Sequence, residues 1–92
     1  MNVLFSPQVN DEQNIHYRFN GEIITVTIGA DTDIFDFAGL PIGRVDGIET
    51  TLPVNPIISA ERKEDGQMYV VLLNFITDDA LESDKFPSWV VV

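Results

Sequence analysis

Apolar and polar residues alternate along Asn14-Ile-His-Tyr-Arg-Phe-Asn20-Gly21-Glu-Ile-Ile-Thr-Val-Thr-Ile28, in two runs joined by Asn-Gly. A period of two marks a half-buried strand, and Asn-Gly tolerates the positive φ angles of a type I′ turn, so the segment predicts a two-residue hairpin. With Asn20-Gly21 as the loop, Phe19 faces Glu22, Tyr17 faces Ile24 and Ile15 faces Val26. Ile15, Tyr17, Phe19, Ile24, Val26 and Ile28 then share one face, and His16, Arg18, Ile23, Thr25 and Thr27 the other. A slip by one residue would turn the apolar set outward, which specifies the register.

A second hairpin is predicted from Pro56-Ile-Ile-Ser-Ala-Glu-Arg-Lys63 and Gln67-Met-Tyr-Val-Val-Leu-Leu-Asn-Phe75, joined by Glu64-Asp65-Gly66. Glycine suits the left-handed position that closes a three-residue loop. If Lys63 pairs with Gln67, Ala60 meets Val70 and Ile58 meets Leu72 on one face, while Ile57 meets Leu73 on the other. Val70 to Leu73 is apolar on both faces, the pattern of a central strand.

Shorter strands are expected at Asn2 to Phe5, Asp33 to Phe37, Ile48 to Leu52 and Ser88 to Val92, with prolines 7, 41, 53, 56 and 87 between the runs. The one helical candidate, Thr77 to Asp84, has Thr77 as N-cap and acids in its first turn, where the helix dipole favours them. The reading is a mainly β chain: one small domain over residues 1–92, an antiparallel β-sandwich or barrel-like sheet with two hairpins and at most one short helix. Its expected core is Tyr17, Phe19, Ile24, Val26, Ile58, Val70, Leu72 and Phe75.

Composition narrows the chemistry. The 92 residues contain no cysteine, which removes disulfides, thiolate metal sites and cysteine nucleophiles. Fifteen acids against five bases give a net charge of -10, spread evenly over the two halves. Arg18, Arg44, Arg62, Lys63 and Lys85 lie scattered among acids, so no basic face is expected for nucleic acid or anionic membrane. The acidity favours a basic protein partner through complementary potentials, and equally serves solubility. No apolar run reaches the roughly 20 residues of a membrane span, and the first ten residues lack the pattern of a signal peptide. A cytoplasmic or virion-associated protein is expected.

No catalytic constellation is legible. His16 is the one histidine, and the hairpin sets it on the polar face beside Arg18 and Thr25. Asp31-Thr-Asp33-Ile-Phe-Asp36 has carboxylates for a hard cation but departs from the calcium-loop pattern, with Phe35 at loop position five, Asp36 at six and Ile42 at twelve. Asp78, Asp79, Glu82 and Asp84 form a second acidic cluster. Weak divalent-cation binding is an alternative at these clusters, and a solvated acidic surface the simpler reading; no cofactor, metal ligand or enzymatic activity is predicted. Glycines 39, 43 and 47 match neither phosphate-binding fingerprint, so 38–47 reads as a flexible loop in which Leu40 and Ile42 are candidate contact residues.

Lys85-Phe-Pro-Ser-Trp-Val-Val-Val92 has two readings. It is a last strand completing the sheet with Trp89 capping the core, or it offers Phe86, Trp89, Val90, Val91 and Val92 to another chain by strand addition or pocket anchoring.

The stretches Val3-Leu-Phe-Ser-Pro-Gln-Val-Asn-Asp11, Phe35-Asp-Phe-Ala-Gly-Leu-Pro41, Glu49-Thr-Thr-Leu-Pro-Val-Asn-Pro-Ile57 and Leu72-Leu-Asn-Phe-Ile76 resemble small acidic accessory proteins encoded in the late, tail-module regions of phages and prophages of Gram-positive bacteria. The resemblance implies a non-enzymatic structural or accessory component and transfers no site residue. The expected function is protein-protein interaction, by self-association into a homo-oligomer or by docking onto a structural protein. A DNA-mimicking inhibitor of a host nucleic-acid-binding protein is the rival that the acidity suggests.

Overall fold

A computed structural model describes residues 1–10, 13–76 and 88–92. Its strands, in chain order, are β1 (Asn2–Val9), β2 (Ile15–Asn20), β3 (Ile23–Ile28), β4 (Asp31–Asp36), β5 (Gly43–Arg44), β6 (Ile57–Arg62), β7 (Met68–Ile76) and β8 (Val90–Val91). They form a three-stranded sheet, β2-β3-β4, and a five-stranded sheet, β5-β6-β7-β1-β8. Every regular element among the described residues is a strand, and the mainly β expectation stands. The helix expected over Thr77–Asp84 lies outside the described residues.

The first hairpin forms with its faces as expected and its turn displaced. Asn20 pairs with Ile23, Phe19 with Ile24, Tyr17 with Val26 and Ile15 with Ile28, so the loop is Gly21-Glu22 instead of Asn20-Gly21. Gly21 has φ 59° and no non-glycine residue among those described has positive φ, the pattern of a type II′ turn with glycine at its first central position. A single left-handed residue then suffices, Asn20 stays in the ladder, and the shift of two residues leaves every side chain on its predicted face. A second turn of this kind, with Gly29 at φ 60°, joins β3 to β4.

The second hairpin follows the expected register from Arg62↔Met68 through Ala60↔Val70 to Ser59↔Val71. Beyond Ser59 a bulge intervenes and Ile57 pairs with Leu72. Ile58, expected in the core opposite Leu72, is instead 52% exposed, and Ile57 takes the buried place. The bulge inserts one residue into the strand, which reverses the faces beyond it.

β7 is central, flanked by β6 and β1, and Met68, Val70 and Leu72 are fully buried. Its pairing with β1 is parallel, from Asn2↔Tyr69 to Val9↔Ile76, so the sheets are not purely antiparallel. Ile48 to Leu52 forms no strand; Leu52 is buried while its neighbours run as bends and irregular chain. The 38–47 segment contains the short β5, paired with β6 at Gly43↔Arg62 and Arg44↔Glu61. A single core joins both sheets: Val3, Ile57, Ala60, Met68, Val70 and Leu72 from one, Ile24, Val26, Ile28 and Phe35 from the other. Tyr17 and Phe19 pack against it half-buried, and Phe75 is half-buried as well.

Candidate interaction surface

Two polar clamps fix the sheets and hold several of the charged groups. Arg62 lies on the inner face of β6 with Ala60, and its guanidinium reaches the turn of the opposite sheet. Nε donates to Leu40 O (2.6 Å), Nη1 to Glu22 Oε2 (2.9 Å) and Gly66 O (2.7 Å), and Nη2 to Glu22 Oε1 (3.0 Å) and Phe37 O (2.9 Å). All five guanidinium donors are thereby used. The hydrogen bonds from Arg62 hold the Glu22 carboxyl below its usual range. On the other flank, the Tyr17 hydroxyl donates to the Leu73 carbonyl. Burial pushes the Tyr17 phenol well above the ordinary tyrosine range.

Asp33 works locally. Its Oδ2 accepts from Thr50 Oγ1 at 2.8 Å and from the Thr51 amide at 3.3 Å, and its Oδ1 from the Ile34 amide at 2.8 Å. The Thr50 hydrogen bond, followed by that of Ile34, lowers the Asp33 pKa. Strand alternation puts Asp36 on the opposite face from Asp33, where Oδ1 accepts from the Ala38 amide. The carboxylates of the calcium-like segment are therefore divided between faces. Asp78, Asp79, Glu82 and Asp84 lie outside the described residues.

Trp89 and the three valines project from the edge of the five-stranded sheet. β8 pairs antiparallel with β1 through Asn2↔Val91 and Val3↔Val90, and the Val92 amide donates to Met1 O at 3.0 Å. The strand thus completes its own sheet. Trp89 does not cap the core: it is 46% exposed and meets Tyr69 edge to face at 5.6 Å between centroids. Lys63 Nζ sits 4.2 Å from the centroid of the same Tyr69 ring, and the Tyr69 hydroxyl donates to Asp65 Oδ2 at 2.7 Å. Val90, Val91 and Val92 are exposed, Val91 to 81%. Phe86 lies outside the described residues.

The glycine-rich segment divides its two candidates. Leu40 packs half-buried against the core and its carbonyl is held by Arg62, whereas Ile42 is 62% exposed. Ile42 borders an open groove of about 480 Å³, whose other walls are Gly43 and residues Glu61 to Asp65.

The outer face of the three-stranded sheet is not legible as a site in the sequence. Register sets His16 beside Thr27 and Arg18 beside Thr25, with Thr32 and Ile34 completing the two rows on β4. A depression of about 310 Å³ is lined by His16, Tyr17, Arg18, Thr25 and Thr27. The alternation of β2 contained this signal, but a polar strand face acquires meaning only once its neighbours are known.

Comparison of the chain with protein-family models, with curated proteins and with solved structures finds no match.

Proposed function

We propose that the chain is a non-enzymatic, self-associating protein-protein interaction module, a structural accessory of the phage or prophage type that its sequence resembles, and that copies meet through the strip Ser88-Trp-Val-Val-Val92. The observation that carries this reading is the exposure of four successive apolar side chains, Trp89 to Val92, at a sheet edge. Contiguous apolar surface of this kind is the ordinary mark of a contact site. The strip contains no charged side chain, so two copies related by a two-fold axis set apolar side chains against apolar side chains. Each copy carries a net charge of -10, and the mutual repulsion this produces is screened by salt.

The chain has one tryptophan, which makes Trp89 a reporter placed in the strip itself. Its emission should move to shorter wavelength as protein concentration rises and water leaves the indole. Val91→Lys, at a position exposed in the single chain, should abolish the shift while leaving the circular dichroism spectrum unchanged. An emission maximum independent of concentration, or a full shift retained in the lysine variant, would refute the proposal.

A further inference from the structure

Sheet edges expose unpaired N–H and C=O groups, and proteins blunt them with short strands, charged side chains, prolines, bulges or covering groups. Among the described residues, five of the six edge regions carry a device that shortens, interrupts or caps the edge backbone. β5 and β8 are two residues each. The uncovered part of β1 contains Pro7. Alternation from the Val92 to Met1 hydrogen bond turns the odd residues of β1 outward, so the residue without an amide donor stands at an outward position. β6 has its bulge at Ile58. On β4, where even residues point outward, the Ile34 amide is capped by Asp33, to which Thr50 and Thr51 are also bound.

β2 carries none of these backbone devices among the described residues; its one edge charge is Arg18, which disfavours a basic strand and favours an acidic one. The two-residue turn makes Asn20↔Ile23 a hydrogen-bonded pair, so Asn20, Arg18 and His16 bond toward β3 and the backbone groups of Ile15, Tyr17 and Phe19 point away from the sheet. Among the described residues, no backbone hydrogen bond from outside the sheet reaches these three residues. The strand is six residues long, without proline or bulge.

The flanking side chains specify what fits. On the outer face, Arg18 and His16 are exposed and no ion pair engages either among the described residues. On the inner side, Ile15, Tyr17 and Phe19 are half-buried, with Tyr17 between Phe5 (5.8 Å) and Phe19 (6.2 Å). An added strand would cover this aromatic row with its apolar residues and set its alternate residues opposite His16 and Arg18, where acids are favoured. A second copy of β2 fits less well, because antiparallel self-pairing about Tyr17 sets Arg18 opposite His16 and supplies neither with an acid.

We propose that the β2 edge accepts, by strand addition, an extended segment of another protein in which acidic and apolar residues alternate. Its acids pair with Arg18 and His16 over the threonine rows, and its apolar residues close over Tyr17 and Phe19. This surface belongs to the opposite sheet from the Trp89–Val92 strip and stands or falls independently of it.

The test uses a seven-residue peptide alternating valine and glutamate, with a valine-lysine peptide as control, and reads amide hydrogen exchange by NMR. At millimolar glutamate peptide, the amides of Ile15, Tyr17 and Phe19 should slow by about tenfold or more relative to the free chain. Arg18→Glu, at an exposed position, should remove that protection and transfer it to the lysine peptide. Absence of protection, equal protection by both peptides, protection unaffected by Arg18→Glu, or protection that appears with protein concentration alone would each overturn the proposal, the last by assigning the edge to a second copy.

Discussion

Glu22 and Arg62, 40 positions apart, meet as a bidentate pair, Oε2 to Nη1 at 2.9 Å and Oε1 to Nη2 at 3.0 Å, across the end of the core. The pair ties the β2-β3 turn to the end of β6, and the remaining Arg62 donors hold the carbonyls of Phe37, Leu40 and Gly66. Arg62→Ala removes all five hydrogen bonds and leaves Glu22 and three carbonyls without this donor. The loss expected is about 3 kcal/mol of unfolding free energy, measured by urea denaturation. An effect within about 0.5 kcal/mol, the range of an ordinary surface substitution, would show that the clamp is incidental.

The same pair sets a pH dependence of definite sign. Hydrogen bonding and charge from Arg62 lower the Glu22 pKa below its ordinary value of 4.5. A depressed folded-state pKa gives stability that is complete above the unfolded value and is lost as pH falls through the folded one. Glu22→Gln should therefore be less stable than the parent chain at pH 7, and the difference should shrink as the pH is lowered below 4.5. Comparing the two proteins removes the contribution of the other acids, which titrate in both. A difference that stays constant down to pH 2 would mean that the carboxylate charge is not what Arg62 recognises.

Tyr17 supplies the matching test at alkaline pH. Burial raises its phenol pKa, and the hydroxyl donates to the Leu73 carbonyl of the facing sheet. A raised folded-state value means stability present below the unfolded pKa and lost as pH rises toward the folded one. Tyr17 should ionise only as the chain unfolds, visible as an absorbance step coincident with loss of circular dichroism. Tyr17→Phe should abolish that step and cost about 1 kcal/mol at neutral pH. Ionisation of both tyrosines before any unfolding would contradict the buried hydrogen bond.

Asp33 anchors the irregular chain that follows β5. Asp33→Ala should release Thr50 and Thr51, uncap the Ile34 amide and lower stability by about 1 to 2 kcal/mol. Hydrogen exchange should quicken at Ile34, Thr51 and the buried Leu52 before it quickens in β7. Unchanged exchange at Ile34 would remove the edge-capping role on which the contrast with β2 rests.

What the sequence makes legible follows the range of the interaction. Side-chain faces of the first hairpin come from period-two alternation, which a two-residue change of register leaves intact. The turn itself is different: Asn-Gly permits two loops, and only the backbone shows that Gly21 leads. The second hairpin reads correctly from Arg62 to Ser59, then diverges because the Ile57-Ile58 pair offers two similar side chains to one buried place and the bulge at Ile58 decides between them. The parallel pairing of β1 with β7 joins segments 67 positions apart, as in Asn2↔Tyr69, and leaves no local trace. Trp89, Val91 and Ile42 are legible as candidate contacts from an apolar run and a glycine-rich segment, whereas the β2 edge depends on which strands lack neighbours and is a property of topology.

The central claim is self-association through Trp89–Val92, and sedimentation velocity over a concentration series at low and high salt tests it most directly. A reversible shift from monomer to dimer is expected with rising concentration, stronger in high salt where the repulsion between copies is screened, and absent in Val91→Lys. A monomer at every concentration and salt, or a dimer that the lysine variant forms equally well, would contradict it.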